Sequence, residues 1–206
     1  MQIDLFNTDK KSNRELTIET AKLIEGLRLH FDFINATEEK ELLKIIDENS
    51  WLNDLTRRVQ HYGYKYDYRA RKIDKSSYLG DMPKWLNGLS QKLVNEKIID
   101  FIPDQAIINE YEPSQGIASH IDCEPCFGDT IISISLGSHC VMNYSKEVNS
   151  KEKEELLIEP RSLIVMTNES RYKWYHGIPP RKTDKFNDEI LKRQRRVSIT
   201  FRKIII

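Results

Sequence analysis

Ile117-Ala118-Ser119-His120-Ile121-Asp122 is the stretch that decides how this chain is read. It forms a short strand pattern leaving a turn that contains Gly116, and residues two apart on a strand share a face. His120 and Asp122 therefore point the same way and can grip one metal ion together. Far downstream, His176 ends the aromatic run Tyr172-Lys173-Trp174-Tyr175 and precedes Gly177. Two histidines and one carboxylate make the facial set that leaves coordination positions open on non-haem Fe(II). Zinc accepts the same donors, but the closing strand of the chain favours iron.

That closing strand is Arg196-Val197-Ser198-Ile199-Thr200-Phe201-Arg202. Positions 196, 198, 200 and 202 share one face, and Val197, Ile199 and Phe201 share the other. The polar face carries two arginines roughly 20 Å apart at about 3.3 Å per residue, with hydroxyls between them. Guanidinium forks match carboxylates in a bidentate manner, which suits an anionic co-substrate. Asn109 and Tyr111, also two apart, offer two more polar tips. At that span the side chains must lean inward to hold one small dianion.

Further out, the chain divides by pattern. Gly26–Phe31 alternates like a strand, and Asn35 and Thr37 offer caps for a helix through Leu42, Leu43, Ile45 and Ile46. Asp81, with Pro83 in the first turn, opens a second helix carrying Trp85, Leu86, Leu89, Leu93 and Val94. From Gln105 onward short β-rich runs follow one another: 106–111, 117–122, 130–136, 140–144, 156–158, 162–166, 172–178 and 195–205. Turn signals such as Glu112-Pro113-Ser114-Gln115-Gly116 and Gly137-Ser138 separate them. This density predicts an α+β, mainly β fold, a jelly roll or barrel behind N-terminal helices.

Composition narrows the function classes. The 206 residues are 39% hydrophobic and 31% charged, with zero formal net charge, so attraction of the whole molecule to a polyanion is not supported. Basic residues do cluster between Arg181 and Lys203, and at Arg57, Arg58, Arg69, Arg71 and Lys72; a solvated face is the plainer reading of such runs. Three cysteines, at 123, 126 and 140, argue against a disulfide framework and for a reducing compartment. Cys123 and Cys126 read as packing residues with some liability to oxidation. No leader pattern or membrane-length apolar run is expected. His30, His61 and His139 read as ordinary histidines.

The motifs together resemble the AlkB family of Fe(II)/2-oxoglutarate dioxygenases. They run in order through Asn109-Glu110-Tyr111, Pro113, Gly116-Ile117, His120, Asp122, Ile134-Ser135-Leu136-Gly137-Ser138, Pro160-Arg161-Ser162-Leu163, His176-Gly177-Ile178, Arg196, Ser198 and Arg202. The resemblance covers roughly residues 25–204. It implies a double-stranded β-helix (jelly roll) core about 105–206, a nucleotide-recognition lid about 51–80, and a single dioxygenase domain over 1–206. By resemblance, His120, Asp122 and His176 are the catalytic metal ligands for Fe(II). Arg196, Ser198 and Tyr111 hold the distal carboxylate of 2-oxoglutarate, with Asn109 and Arg202 near its metal-bound end, and O2 is the other co-substrate. The implied activity is oxidative demethylation of alkylated bases in DNA or RNA, with a nucleic-acid partner, no membrane, a monomer and an intracellular, cytoplasmic or nuclear, setting.

Within the family, Arg57–Tyr64 and Glu169–Ile178 are most similar in wording to the homologue that hydroxylates a wobble-uridine side chain in tRNA. That homologue's flanking RNA-recognition and methyltransferase domains have no counterpart here, and Glu124 departs from its pattern toward repair-type members. Substrate-facing candidates are Arg57, Arg58, Tyr62, Tyr64, Glu124 and Trp174. Tyr62, Tyr64, Tyr66 and Tyr68 alternate strictly, which predicts one strand face of phenol rings that either packs on the core or stacks on unstacked bases. Trp174 and Tyr175 either line the pocket or fill the barrel. Rival readings are a catalytically silent binding module, and the same chemistry on a protein or small molecule.

Overall fold

Reciprocal capping starts the helices of the N-terminal section. In the computed structural model, which describes residues 11–53, 55–148 and 150–206, α1 (Asn13–Lys22) opens on Ser12. The Ser12 hydroxyl accepts from Glu15 N while the Glu15 carboxylate accepts from Ser12 N. After β1 (Leu27–His30), Asn35 and Glu38 repeat the device for α2 (Ala36–Glu48). β2 (Val59–Tyr62), a 3-10 turn at Lys75–Ser77 and α3 (Lys84–Asn95) follow. Pro83 is the N-cap of α3, so Asp81 lies outside the helix, where it accepts from the Tyr78 hydroxyl. The helix α1 falls in a stretch whose sequence pattern is weak and was not expected.

The β-rich half holds β3 (Gln105–Tyr111), β4 (Ile117–His120), β5 (Phe127–Gly137), β6 (Cys140–Ser145), β7 (Glu154–Ile158) and β8 (Leu163–Met166). A single helical turn, α4 (Asn168–Tyr172), precedes β9 (Tyr175–Ile178), β10 (Thr183–Phe186), β11 (Glu189–Lys192) and β12 (Arg196–Ile204). All strand pairings among the described residues are antiparallel. The major sheet runs β1-β8-β5-β12-β3-β2 and the minor sheet β4-β9-β6-β7, with β10-β11 a separate hairpin. The two sheets form the jelly roll.

Strand alternation sorts the core. Val197, Ile199 and Phe201 of β12 join Ile108, Ile132 and Ile134 against Leu42, Ile46, Leu86, Leu89 and Leu93 of α2 and α3. Arg196, Ser198, Thr200 and Arg202 turn to the opposite face, into a cleft shared with β4, β6 and β9. Burial of an apolar side chain contributes about 1.5–3 kcal/mol, and one wholly apolar face per strand locks the register because a one-residue slip would reverse it.

Several expectations are corrected. The tyrosine alternation is not one strand: β2 ends at Tyr62 and Gly63 turns the chain at φ +75°. A Cβ there would collide with the Asp104 carbonyl oxygen, so only glycine fits. The run 172–178 starts as strand only at Tyr175, because 168–172 wind into a helical turn, with the Ser170 hydroxyl accepting from the Thr167 amide. The hairpin β10-β11 was missed, although Asn187-Asp188 is a turn signal; both residues adopt positive φ, as a tight hairpin requires. Cys123 and Cys126 form a disulfide, since the turn between them brings their Cα atoms to 5.4 Å. Cys140 is free and buried. Among the described residues no helix is long and apolar enough to cross a membrane.

Candidate metal and co-substrate centre

His120 and His176 meet because β4 and β9 pair in register at these two positions. Gly177 permits the close approach: a Cβ on it would lie 2.9 Å from Ser119 N. The two imidazole rings stand 4.5 Å apart, centroid to centroid. Asp122 lies just beyond the end of β4, so strand alternation does not aim it. Arg171 does part of that work. Its buried guanidinium donates to the carbonyls of Asp122, Cys123, Phe127 and Gly128 at 3.0–3.3 Å, fixing the loop that follows the strand. Arg202 does the rest, donating from Nε and Nη2 to Asp122 Oδ1 at 3.0 and 2.7 Å.

The result is one ligand atom each from His120, Asp122 and His176, all within 4.8 Å of one another. Asp122 Oδ2 sits 3.5 Å from His176 Nε2. Burial alone would raise the Asp122 carboxyl, but Arg202 and the His176 contact outweigh it and hold it well below the usual carboxylate range. Burial, reinforced by His176, pushes His120 down to about 4, so its imidazole is neutral at physiological pH. Its Nδ1 is 2.9 Å from the Ala118 carbonyl oxygen, and a donor there leaves the Nε2 lone pair free. The neutral His120 imidazole, the ionised Asp122 carboxylate and the His176 ring beside them are a donor set that fits a divalent metal.

The anion side of the cleft is equally specific. Arg196 is buried and donates from Nε to Ser135 Oγ at 2.9 Å, and its two terminal nitrogens are buried with no protein partner. A buried unpaired guanidinium edge costs stability unless an anion meets it, so these donors fit a carboxylate. Ser198 and Tyr111 line the same cleft, and the Arg196 guanidinium lies 5.5 Å from the Tyr111 ring centre. Asn109 lines it too, with Oδ1 accepting from Arg57 Nε at 2.9 Å. Arg202 reaches the cleft wall and donates to Asp122 and, at 3.3 Å, to Gln105 Oε1. It supports the metal carboxylate at the end of the cleft that holds the three metal donors.

The substrate-facing candidates fare unevenly. Arg57 is buried beside the cleft. Arg58 is corrected: it pairs with both oxygens of Glu110 and stacks over Trp51, toward the helices. Tyr62 is corrected likewise, because its position opposite Ala106 points it to the helical layer, edge-on to Trp85, with its hydroxyl donating to Gln60. Tyr64 packs on Tyr78 outside the cleft. Glu124 is exposed in the turn bounded by the disulfide. Trp174 fills the barrel core, with the Lys146 ammonium 5.4 Å from its ring centre. Tyr66 and Tyr68, named in the alternation but outside the substrate-facing candidates, pack beside residues at the cleft's edge: Tyr66 lies against Phe127 and edge-on to Tyr68, and Tyr68 faces Arg57. The tyrosine run was the signal, and the turn at Gly63 changed which rings it delivers.

The model of the 2OG-Fe(II) oxygenase superfamily matches residues 26–202. An uncharacterised protein of Acanthamoeba polyphaga mimivirus is 38% identical over 193 residues, covering 94% of this chain and 91% of that one. The Arabidopsis thaliana alkylated DNA repair protein ALKBH8 homolog is 34% identical, covering 91% of this chain and 60% of its own length. Mouse tRNA (carboxymethyluridine(34)-5-O)-methyltransferase ALKBH8 is 38% identical over 206 residues, covering 87% of this chain but 30% of the mouse protein. The chain thus spans less than two thirds of either named relative. The fold matches OsALKBH1 at a TM-score of 0.63 and 16% identity, over 86% of this chain and 96% of that one. With the family model matched over residues 26–202 and a complete His-Asp-His set, the chain belongs to the 2OG-Fe(II) oxygenase superfamily, and within it to the AlkB family of dioxygenases that use Fe(II), 2-oxoglutarate and O2.

Proposed function

We propose that this chain is one dioxygenase domain that hydroxylates an alkyl carbon on a nucleobase, and that the base is a modified uridine in tRNA. His120, Asp122 and His176 hold the metal; Arg196, with Ser198 and Tyr111, holds the distal carboxylate of 2-oxoglutarate, and Asn109 stands near the other end. The bound metal supplies activation of O2. One oxygen atom enters the substrate C–H bond and the other enters succinate as CO2 leaves, so the electrons balance. The single observation that carries the reading is the buried, unpartnered Arg196 edge in the same cleft as the three metal donors.

The 38% identity to a relative named for carboxymethyluridine at position 34 of tRNA favours uridine. The repair-type name of the Arabidopsis relative favours oxidative demethylation as the second reading. A hydroxylated N-methyl group releases formaldehyde and leaves the base with N–H, whereas a carbon-linked side chain keeps the hydroxyl. Either base must be presented unstacked, which costs least in a loop or single strand. Segment 51–80 is the lid over that base, with Tyr66 and Tyr68 as its inner rings. The partner is nucleic acid, the setting intracellular and the chain a monomer.

The test is incubation with Fe(II), 2-oxoglutarate and O2 against tRNA carrying carboxymethyl-type uridines and a set of methylated oligonucleotides, reading nucleosides by mass. A gain of one oxygen on the uridine supports the first reading. Loss of a methyl group with formaldehyde supports the second. Succinate production only with a protein or metabolite overturns both.

A further inference from the structure

Arg57 occupies an unusual place for a residue of the lid segment. It precedes β2, whose Val59 pairs with Asn109, and the Glu110 amide donates to the Arg58 carbonyl oxygen, so the backbone is stitched to β3 at this point. Arg57 is 8% exposed, too buried to serve as an open phosphate contact. Its Nε donates to Asn109 Oδ1 at 2.9 Å, and its guanidinium carbon lies 5.8 Å from the ring centres of both Tyr68 and Tyr111. Tyr111 is therefore flanked by two guanidinium groups, those of Arg57 and Arg196. Among the described residues neither arginine has an ion-pair partner.

We propose that Arg57 is a positioning residue for the co-substrate: it fixes the Asn109 amide so that Nδ2 is the group offered to 2-oxoglutarate, and it ties that orientation to the lid through Tyr68. The chemistry is elementary. An Asn side chain carries an acceptor at one end and donors at the other, and a carboxylate accepts only. With Oδ1 held by the Arg57 N–H, the amide cannot present its oxygen to the anion. The uncompensated charge beside Tyr111 adds attraction for a dianion in a cleft of low dielectric. Arg57 acts through Asn109 and Tyr111 and is not itself a catalytic residue. Because it belongs to the segment that also carries Tyr66 and Tyr68, co-substrate affinity and lid position are linked.

This inference rests on the co-substrate reading of the cleft. The test is calorimetric titration of 2-oxoglutarate into Mn(II)-loaded protein, a binding readout that needs no turnover. R57A is expected to raise the Kd about tenfold, the effect of losing one hydrogen bond near a charged ligand. R57Q keeps an N–H donor for Asn109 but not the charge, and R57K keeps the charge and a donor, so each loses less than R57A. N109A costs a similar factor, and R57A/N109A is no worse than the more damaging single variant, because the two residues act as one unit. Mn(II) affinity remains at the parent level in all five, showing that the metal site is folded. Unchanged 2-oxoglutarate affinity in R57A and R57Q, or additive losses in the double variant, overturns the proposal. Weakened binding of single-stranded oligonucleotide with normal 2-oxoglutarate binding overturns it in favour of a phosphate contact. If the parent itself does not bind 2-oxoglutarate, the co-substrate reading falls first, a distinguishable result.

Discussion

Arg202 places two N–H groups on one oxygen of Asp122, Oδ1, at 3.0 and 2.7 Å, and leaves Oδ2 facing His176. The arginine thus decides which carboxylate oxygen is presented to a metal and keeps the buried carboxyl ionised. Arg202→Ala is expected to weaken Mn(II) or Fe(II) affinity about 10–100-fold, the usual cost of losing a group that orients a ligand. His120→Ala and His176→Ala remove a donor outright and are expected to abolish both metal binding and turnover while the fold persists. Titration of metal into each variant, beside its unfolding curve, checks this; parent-level affinity in either His variant would reject the metal assignment.

Arg196 uses its inner Nε on Ser135 and keeps its outer edge for the cleft. Arg196→Lys retains charge but not the fork, so 2-oxoglutarate affinity is expected to drop at least about tenfold, roughly 1.4 kcal/mol. Ser135→Ala only frees the guanidinium to rotate and costs less. Mn(II) affinity serves as the control and stays unchanged in both. Equal losses in the two variants would show that Arg196 is held elsewhere.

Arg171 is fully surrounded by protein and donates to four carbonyls of the loop after Asp122. Arg171→Met fills much of the volume but leaves those acceptors bare. A stability loss of about 3 kcal/mol or more is expected from unsatisfied buried groups. Metal affinity falls with it, since the Asp122 backbone is no longer anchored. Urea unfolding and metal titration measure the two effects; a destabilised variant with normal metal affinity would limit Arg171 to stability.

Asp184 anchors the β10-β11 hairpin beneath the minor sheet, accepting from Arg193, from Arg181 and from the Val141 amide. Burial works to raise its carboxyl, but the two arginines outweigh it and hold it below the ordinary value. A carboxyl depressed in the folded state binds fewer protons there than in the unfolded chain. Its contribution is therefore complete above the unfolded value near 3.8 and lost as pH falls through the folded one. Asp184→Asn is expected to cost about 3–5 kcal/mol at neutral pH and to flatten the acid limb of the stability curve below pH 4. Thermal unfolding from pH 7 to pH 3 measures it, and an acid limb as steep as the parent's would count against this account.

Local pattern was enough for much of this molecule. The alternation in 196–202 dictated one apolar and one polar face, and both are found, because a strand has no other way to arrange successive side chains. The capped helix at Asn35, the β-rich second half and the donor set of His120, Asp122 and His176 were legible for the same reason: each rests on residues close in sequence or on chemistry that few residue types can supply. Contacts across the fold were not legible. Nothing near Arg171 in the chain announces the loop it holds, nearly fifty residues earlier, and nothing near Arg202 announces Asp122. The tyrosine run shows the limit most clearly. Its spacing was right, but one left-handed residue at Gly63, imposed by the approach of Asp104, ends the strand after Tyr62, so Tyr62 faces the helices while Tyr66 and Tyr68 pack against Phe127 and Arg57. Periodicity assigns faces only while the backbone keeps its direction, and where it turns is decided by what packs against it.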